Sequence, residues 1–255
     1  MYRCFMSILI CFLITVSCQK SNNTDYDAIG GRLENSYQDW WLYYNDSIKL
    51  SSKFKPLDAD LKDISKEVFL KSLCTGEYIP LSCSSDKRNS AYRLYKLKAN
   101  ADENISSTIK NVAQIELANF LKEGQEMKPF RFVDLNGNLY TSENTKGKNV
   151  VLKCWFIHCK KCVEEMPLLN KMVAQYKNRE DVVFISLASD SQSDLKQFLS
   201  KKDFEYAVIP NQDEFMKKTL ETQLFPTHYV INKKGIITKV ANDAETIREA
   251  LQNEM

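Results

Sequence analysis

The sequence predicts an α/β fold, helices layered on a central mixed sheet and preceded by a mostly helical region, and three observations carry that prediction. Two apolar runs, residues 149–157 and 182–188, read as buried strands, and between them Met166, Leu169, Met172 and Val173 recur at helical spacing. Two turn signals, Asn136-Gly137 and Lys234-Gly235, each sit between apolar-rich runs and mark hairpins. Upstream of Gly124 helical spacing prevails, and no internal repeat occurs. Strands alternating with helices pack as an α/β/α sandwich around one core.

In chain order, Arg3 precedes an apolar block over residues 5–16, broken only by Ser7, Cys11 and Thr15, and Ser17 then precedes Cys18. The block is too short to span a bilayer comfortably and reads as a signal peptide over residues 1–17. A cysteine directly after such a block resembles the lipobox of bacterial lipoproteins, which implies a lipid anchor on Cys18. Thr15 stands where that pattern has leucine, so ordinary cleavage at the small residues Thr15 and Ser17 competes with lipidation, and an uncleaved anchor is a third reading. All three put the remaining chain outside the cytoplasm, in the cell envelope or periplasm.

Residues 18–30 are polar and read as a tether. Within 31–124, Tyr37, Trp40, Trp41, Tyr44 and Ile48 form an aromatic stripe at helical spacing, read as a packing face. Leu61, Ile64, Val68 and Phe69 suggest a second helix stopped near Gly76. Residues 77–83 read as irregular or strand, Tyr92, Leu94 and Leu97 fit strand or helix, and Ile105, Ile109, Val112, Leu117 and Phe120 make a longer amphipathic helix. Nothing in this region names its job. From 125 to 255 the order is a hairpin, the buried strand 149–157, a helix over 159–176, the strand 182–188, a helix over 193–200, a short strand 206–209, a helix over 213–221, a second hairpin and a closing helix over 244–251.

Charge and cysteine usage narrow the function. With 35 Lys+Arg against 33 Asp+Glu there is no electrostatic footprint for nucleic acid. Besides Cys4, Cys11 and Cys18, five cysteines remain, and an exported chain meets an oxidising compartment. Cys159 and Cys162 pair by spacing, Cys74 and Cys83 are candidates for a structural disulfide around Gly76 and Pro80, and Cys154, inside the apolar strand, reads as a small buried hydrophobe. The Cys159/Cys162 dithiol falls where a strand turns into a helix. Unsatisfied N–H groups at a helix start stabilise a thiolate, the nucleophilic form of cysteine. That chemistry is thiol–disulfide exchange.

The residues around the dithiol carry a resemblance. "CWFIHCKKCVEEMP" resembles the strand, CxxC, acidic residue and Met-Pro sequence of the thioredoxin superfamily, in particular of TlpA/ResA-like extracytoplasmic oxidoreductases, and "LFPTHYVINKKG" resembles their cis-proline segment. The likeness covers residues 125–255, and the helical region only as an extension of the kind seen in Bacteroidetes-type relatives. It implies a thioredoxin-like fold in which Cys159 is the nucleophile, Cys162 the resolving thiol, Pro226 the cis-proline, and Glu165 an acid able to accept or return a proton. It also implies that the backbone before Pro226 pairs with an extended substrate, which makes Phe225 and Thr227 substrate-binding positions. No cofactor is implied. The partners are disulfide-bearing envelope proteins and, for a protein acting as a reductant, a membrane electron donor; the reductive direction is preferred.

Departures from the family pattern define the questions. His158 stands where most relatives carry Trp, Lys160 and Lys161 replace the usual intervening pair, and Lys153 falls where thioredoxins proper keep a buried acid, which shifts weight to Glu165. Two cations beside a thiolate lower its pKa, while Glu164 and Glu165 oppose them. His158 is the preferred residue for tuning Cys159, and His228 is read either as packing or as a substrate contact. The rivals are a metal site, which lacks a second CxxC or a His pair; a peroxidase-type redoxin, which lacks a Thr three residues before the reactive cysteine, where Phe156 stands; and a non-catalytic envelope binding protein on the same scaffold.

Overall fold

The computed structural model describes residues 23–84 and 90–255. The signal segment and the proposed lipid site Cys18 lie outside the described residues, as do Cys4 and Cys11. Among the described residues no helix is long and apolar enough to cross a membrane.

The N-terminal part comprises α1 (Asn23–Leu33), α2 (Tyr37–Ser47), β1 (Lys55–Leu57), α3 (Lys66–Leu73), β2 (Tyr78–Ser82), β3 (Ala91–Lys96) and α4 (Glu103–Phe120). Side chains of Ser36, Ser65 and Asp102 cap α2, α3 and α4 by accepting backbone N–H groups of their first turns. The three strands form a sheet in the order β1-β3-β2, parallel between β1 and β3 and antiparallel between β2 and β3. Trp40, Phe69, Leu73, Ile79, Ile105 and Ile109 are fully buried in a core that this part keeps to itself.

Three expectations need correction here, and one left open between strand and other structure resolves to strand. The stretch expected as a tether is helical from Asn23, because Tyr26 and Leu33 are buried with Ile29 packed beside them; Gly30 is required, since a Cβ there would lie 2.4 Å from the Tyr95 ring. The ambiguous runs around Pro80 and Leu94 are paired strands, so the helices of this part sit on a small sheet. The second helix begins only after the Ser65 cap; Leu61 occupies a turn at φ 65°, with Asp58 accepting the backbone N–H groups of Asp60 and Lys62. Cys74 and Cys83 are free thiols rather than a disulfide. Cys74 ends α3, whereas Cys83 directly follows β2, the strand that pairs with β3.

The C-terminal part comprises β4 (Arg131–Val133), β5 (Leu139–Thr141), β6 (Asn149–Trp155), α5 (Lys160–Glu164), α6 (Met166–Tyr176), β7 (Val182–Ala188), α7 (Gln192–Leu199), β8 (Ala207–Ile209), a π-helical turn (Phe215–Thr219), β9 (Thr227–Ile231), β10 (Ile237–Ala241) and α8 (Ala244–Asn253). Its central sheet is mixed, in the order β10-β9-β6-β7-β8, with β6, β7 and β8 parallel and β9 antiparallel to both β6 and β10. The first hairpin, β4–β5, closes through residues 134–138 rather than through two residues. Asp134 organises that loop by accepting the backbone N–H groups of Asn136 and Asn138 at 2.9 and 2.8 Å, and Gly137 takes φ 86°.

Every residue of β6 is buried, and its period of two assigns each side chain to a face. Val150, Leu152 and Cys154 join Phe132, Met216 and Tyr229 on one side. Val151, packed with Leu169 and Met172 of α6, and Trp155, packed with Met166, point to the other side, and alternation puts Lys153 on that same face. Buried hydrogen bonds join the two parts: Ser51 and Thr246 share one at 3.3 Å, and the Asn119 amide donates to Asn242 Oδ1 at 2.8 Å. The Lys239–Glu123 ion pair, at 2.9 Å, adds to them.

Candidate active site

The helix expected over 159–176 is two helices. Pro167, in the first turn of α6, lacks the N–H that a continuous helix would need, so the chain breaks at Glu165, which ends α5 and begins α6. That break turns the Glu165 side chain inward beneath the dithiol. Cys159 caps α5 and is bonded to Cys162 as a disulfide, with Cα atoms 5.2 Å apart. The N–H of Cys162 points at Cys159 Sγ, 3.3 Å away, and would stabilise a Cys159 thiolate. Cys162 is fully buried and Cys159 retains 8 % of its surface, an asymmetry that offers one sulfur to a partner and withholds the other. The approach to Cys159 is anchored by Asp190, whose carboxylate accepts the Ile157 N–H at 2.9 Å.

The Phe225–Pro226 peptide is cis and stands at the start of β9. Phe225 packs against the cluster that holds both cysteines and meets Phe156 edge-on at 5.4 Å. Thr227 is buried, donates its hydroxyl to Leu224 O and accepts from Asn242, so its side chain holds the segment in place. Asn242 also donates to Pro226 O at 2.8 Å and accepts from Asn119. A buried amide chain therefore runs from α4 to the cis-proline, and neither asparagine carries a motif that would single it out in the sequence.

Beneath the cysteines lies a buried ionisable group of three. Lys153 has no exposed surface, is ion-paired to Glu165 and donates to the carbonyl of Cys162 at 3.0 Å. His228, equally buried, meets the same Glu165 oxygen through Nε2 at 2.8 Å. Lys153 and His228 are direct partners across β6 and β9, which puts them side by side on one face. Burial would raise the Glu165 pKa, but the His228 hydrogen bond and the neighbouring charges hold it below the ordinary carboxylate range. Burial pulls His228 down against the opposing pull of Glu165. At neutral pH the ring is neutral and donates Nε2–H to the carboxylate, which leaves Nδ1 a buried acceptor with no partner among the described residues. Lys153 is lowered by burial, with Glu165 opposing. One signal in the sequence pointed here: a lysine inside a fully apolar strand must be paired.

The remaining candidates are at the surface. His158, Lys160 and Lys161 are exposed, with Lys160 3.7 Å from Glu164, an ion pair of little energetic weight. The structure thus brings His228, not His158, into the network beneath the dithiol. Cys154 is buried, and burial pushes its thiol up to about 12, in keeping with a packing role. Among the described residues no group of three or more His, Cys, Asp or Glu side chains is arranged to hold a metal ion.

A family model described as Redoxin matches residues 122–253, just over half of the chain. The thioredoxin-like protein YneN of Bacillus subtilis is 26% identical over 134 residues, which cover 52% of this chain and 78% of that protein. The thiol-disulfide oxidoreductase ResA of Bacillus thuringiensis subsp. konkukian is 28% identical over 123 residues, covering 48% and 71% respectively. Among solved structures, the thioredoxin domain of a thiol-disulfide oxidoreductase from Bacteroides vulgatus superposes with a TM-score of 0.46 at 21% identity, over 51% of this chain and 96% of that one.

Proposed function

Because the chain belongs to the Redoxin family, within the thioredoxin superfamily, we propose that it is an extracytoplasmic protein thiol–disulfide oxidoreductase working through Cys159 and Cys162. The observation that carries this reading is the pair itself: a bonded CxxC at a helix start, in which Cys159 keeps a little exposed surface and Cys162 none, with the cis Phe225–Pro226 segment packed beside it.

In the reductive direction the Cys159 thiolate attacks a substrate disulfide, forming a mixed disulfide and releasing one substrate thiolate. Cys162 loses its proton and attacks Cys159 Sγ, which releases the second substrate thiolate and leaves the Cys159–Cys162 disulfide. Two electrons pass to the substrate, and a membrane donor restores the dithiol. Glu165 is the proton acceptor for Cys162 in this scheme. A carboxylate held low by its partners takes that proton only transiently and returns it readily, which suits a reversible exchange. The backbone at Phe225 pairs with the substrate chain, Lys160, Lys161 and His158 set the charge around Cys159, and Cys18 carries the anchoring lipid.

Exchange with a model protein disulfide tests the reading. Cys159→Ser is expected to abolish it, Cys162→Ala to accumulate a mixed disulfide with envelope proteins, and Glu165→Gln to slow resolution roughly 100-fold while leaving the first attack intact. Unchanged turnover in Cys159→Ser would overturn the proposal, and a Cys162→Ala variant that captures nothing would favour a binding protein on the same scaffold. The measured reduction potential of the pair decides direction, since about 30 mV corresponds to roughly 1.4 kcal/mol.

A further inference from the structure

Beside the dithiol, a cleft of about 320 Å³ has one wall from each part of the molecule. Asn45 from α2 and Ile115 and Glu116 from α4 form the N-terminal wall; Lys161, Leu224 and Asn242 form the wall opposite. Two of these residues tie the cleft to the redox chemistry. Lys161 lies between the two cysteines in the chain, and Leu224 immediately precedes the cis Phe225–Pro226 peptide. Lys161 and Leu224 thus place one wall of the cleft on the two segments that a substrate of Cys159 would meet.

The character of the walls selects the occupant. Leu224 is 43% exposed at the lip, an apolar side chain left open to water beside the half-buried Ile115. The lining sets Lys49 and Lys161 against Asp243 and Glu116, so no cluster of one sign faces the opening and the cleft is built for neither a polyanion nor a polycation. Its volume is at the small end of ligand sites, room for side chains of a polypeptide and not for a folded module. The N-terminal wall is held in place by the buried Ser51–Thr246 and Asn119–Asn242 hydrogen bonds, and Asn242 also holds Pro226 O.

We propose that this cleft receives the stretch of substrate polypeptide next to the target cysteine, an extended segment bearing an uncharged apolar side chain, and that the N-terminal part thereby selects the substrates of the dithiol. The proposal rests on the oxidoreductase reading above and adds a role for the part of the chain that precedes the Redoxin match, which begins at residue 122.

The experiment uses the full chain, reduced, in single turnover with two disulfide-linked peptide dimers that differ only at two positions flanking the cysteine, leucine in one and glycine in the other. The wild type is expected to react at least tenfold faster with the leucine peptide. Asn45→Trp, at an exposed helical position, and Ile115→Arg are expected to cut that leucine-to-glycine ratio at least fivefold. Because the readout is a ratio within each variant, a general loss of dithiol reactivity does not imitate the effect, and the exposed Asn45 site keeps one variant folded. Equal rates for the two peptides in the wild type, or an unchanged ratio in Asn45→Trp, overturn the cleft proposal while leaving the oxidoreductase intact. No reaction of the reduced wild type with either peptide overturns both.

Discussion

Lys153 is a lysine with no exposed surface in the middle of a central strand, and its position is tolerable because Glu165 balances its charge and Glu165 and the Cys162 carbonyl accept two of its N–H donors. Glu165 in turn is satisfied by Lys153 and His228 together. Replacing one member of such a set leaves the others charged and underpaired, whereas an apolar residue of similar size fills the space. Lys153→Met is therefore expected to cost about 3 kcal/mol at neutral pH, the lower end for breaking a buried pair because His228 remains. The sign with pH follows from Glu165. Its folded pKa lies below the ordinary value, so its pairing stabilises the fold above the ordinary carboxylate range and is lost as pH falls through the folded value. In Lys153→Met the carboxyl is raised instead, and protonation relieves it, so the difference from wild type shrinks towards pH 4. Urea unfolding of both proteins at pH 7 and pH 4 measures this; a difference that grows on acidification would contradict the assignment.

At the scale of elements, the cis-proline segment at the start of β9 is positioned from α4, a helix of the other part. The link is Asn119 to Asn242 to Pro226 O, all buried, with Thr227 Oγ1 as a second acceptor of the Asn242 amide. Asn242→Ala strands the Asn119 amide and the Pro226 carbonyl together, at about 1–3 kcal/mol for each unsatisfied group. The expected loss is about 3 kcal/mol in denaturant unfolding. A double-mutant cycle with Asn119→Ala should show a coupling of about 1 kcal/mol; additive losses would mean that the two amides act independently. Few of these element-level relations were legible in advance. The apolar runs of β6 and β7, the cap-to-glycine span of α4 and the second hairpin follow from local periodicity and turn chemistry. The split of α5 from α6 was half legible, since Pro167 signals a distortion, but the inward turn of Glu165 depends on Lys153 and His228 waiting beneath it. The small sheet of β1, β3 and β2 was not legible as a sheet, because its strands are three to six residues long, and residues 77–83 fit strand or irregular structure and the run at Tyr92 strand or helix until a partner pairs them.

Across the whole molecule, two cores meet at a seam that carries ionisable groups from both sides: Lys66, Glu116 and Glu123 from the N-terminal part and the linker after it, Lys239 and Asp243 from the redox part. Burial raises the Glu116 pKa to about 7, reinforced by Asp243 and Glu123 and opposed by Lys66 and Lys239. Burial, aided by Lys239, lowers Lys66 to about 8. A carboxyl whose folded pKa is raised binds more protons in the folded state between its unfolded value, about 4.3, and its folded value. Stability therefore falls as pH climbs through that window and is level above it. Glu116→Gln removes the slope, so relative to wild type it is expected to gain about 1–2 kcal/mol between pH 5 and pH 8, after discounting for the half-exposed position. Thermal unfolding of both proteins at the two pH values checks this, and parallel curves would show that Glu116 titrates normally.

The sequence by itself determined that a dithiol stands where a buried strand gives way to a helix, that a Pro226 segment follows on a hairpin strand, and that the chain builds a mixed α/β sheet. Those facts are written in spacings of two, three and four residues and in short motifs, within reach of local physics. Only the tertiary structure decided which side chains surround the dithiol. Glu165 meets His228 across 63 residues and Asn119 meets Asn242 across 123. Such partnerships depend on strand register and on how two separate cores press together, and a one-residue slip in register would turn Lys153 and His228 to opposite faces. The chemistry of exchange is local to the cysteines, while its proton environment and the cleft lined by Lys161 and Leu224 belong to the assembled fold.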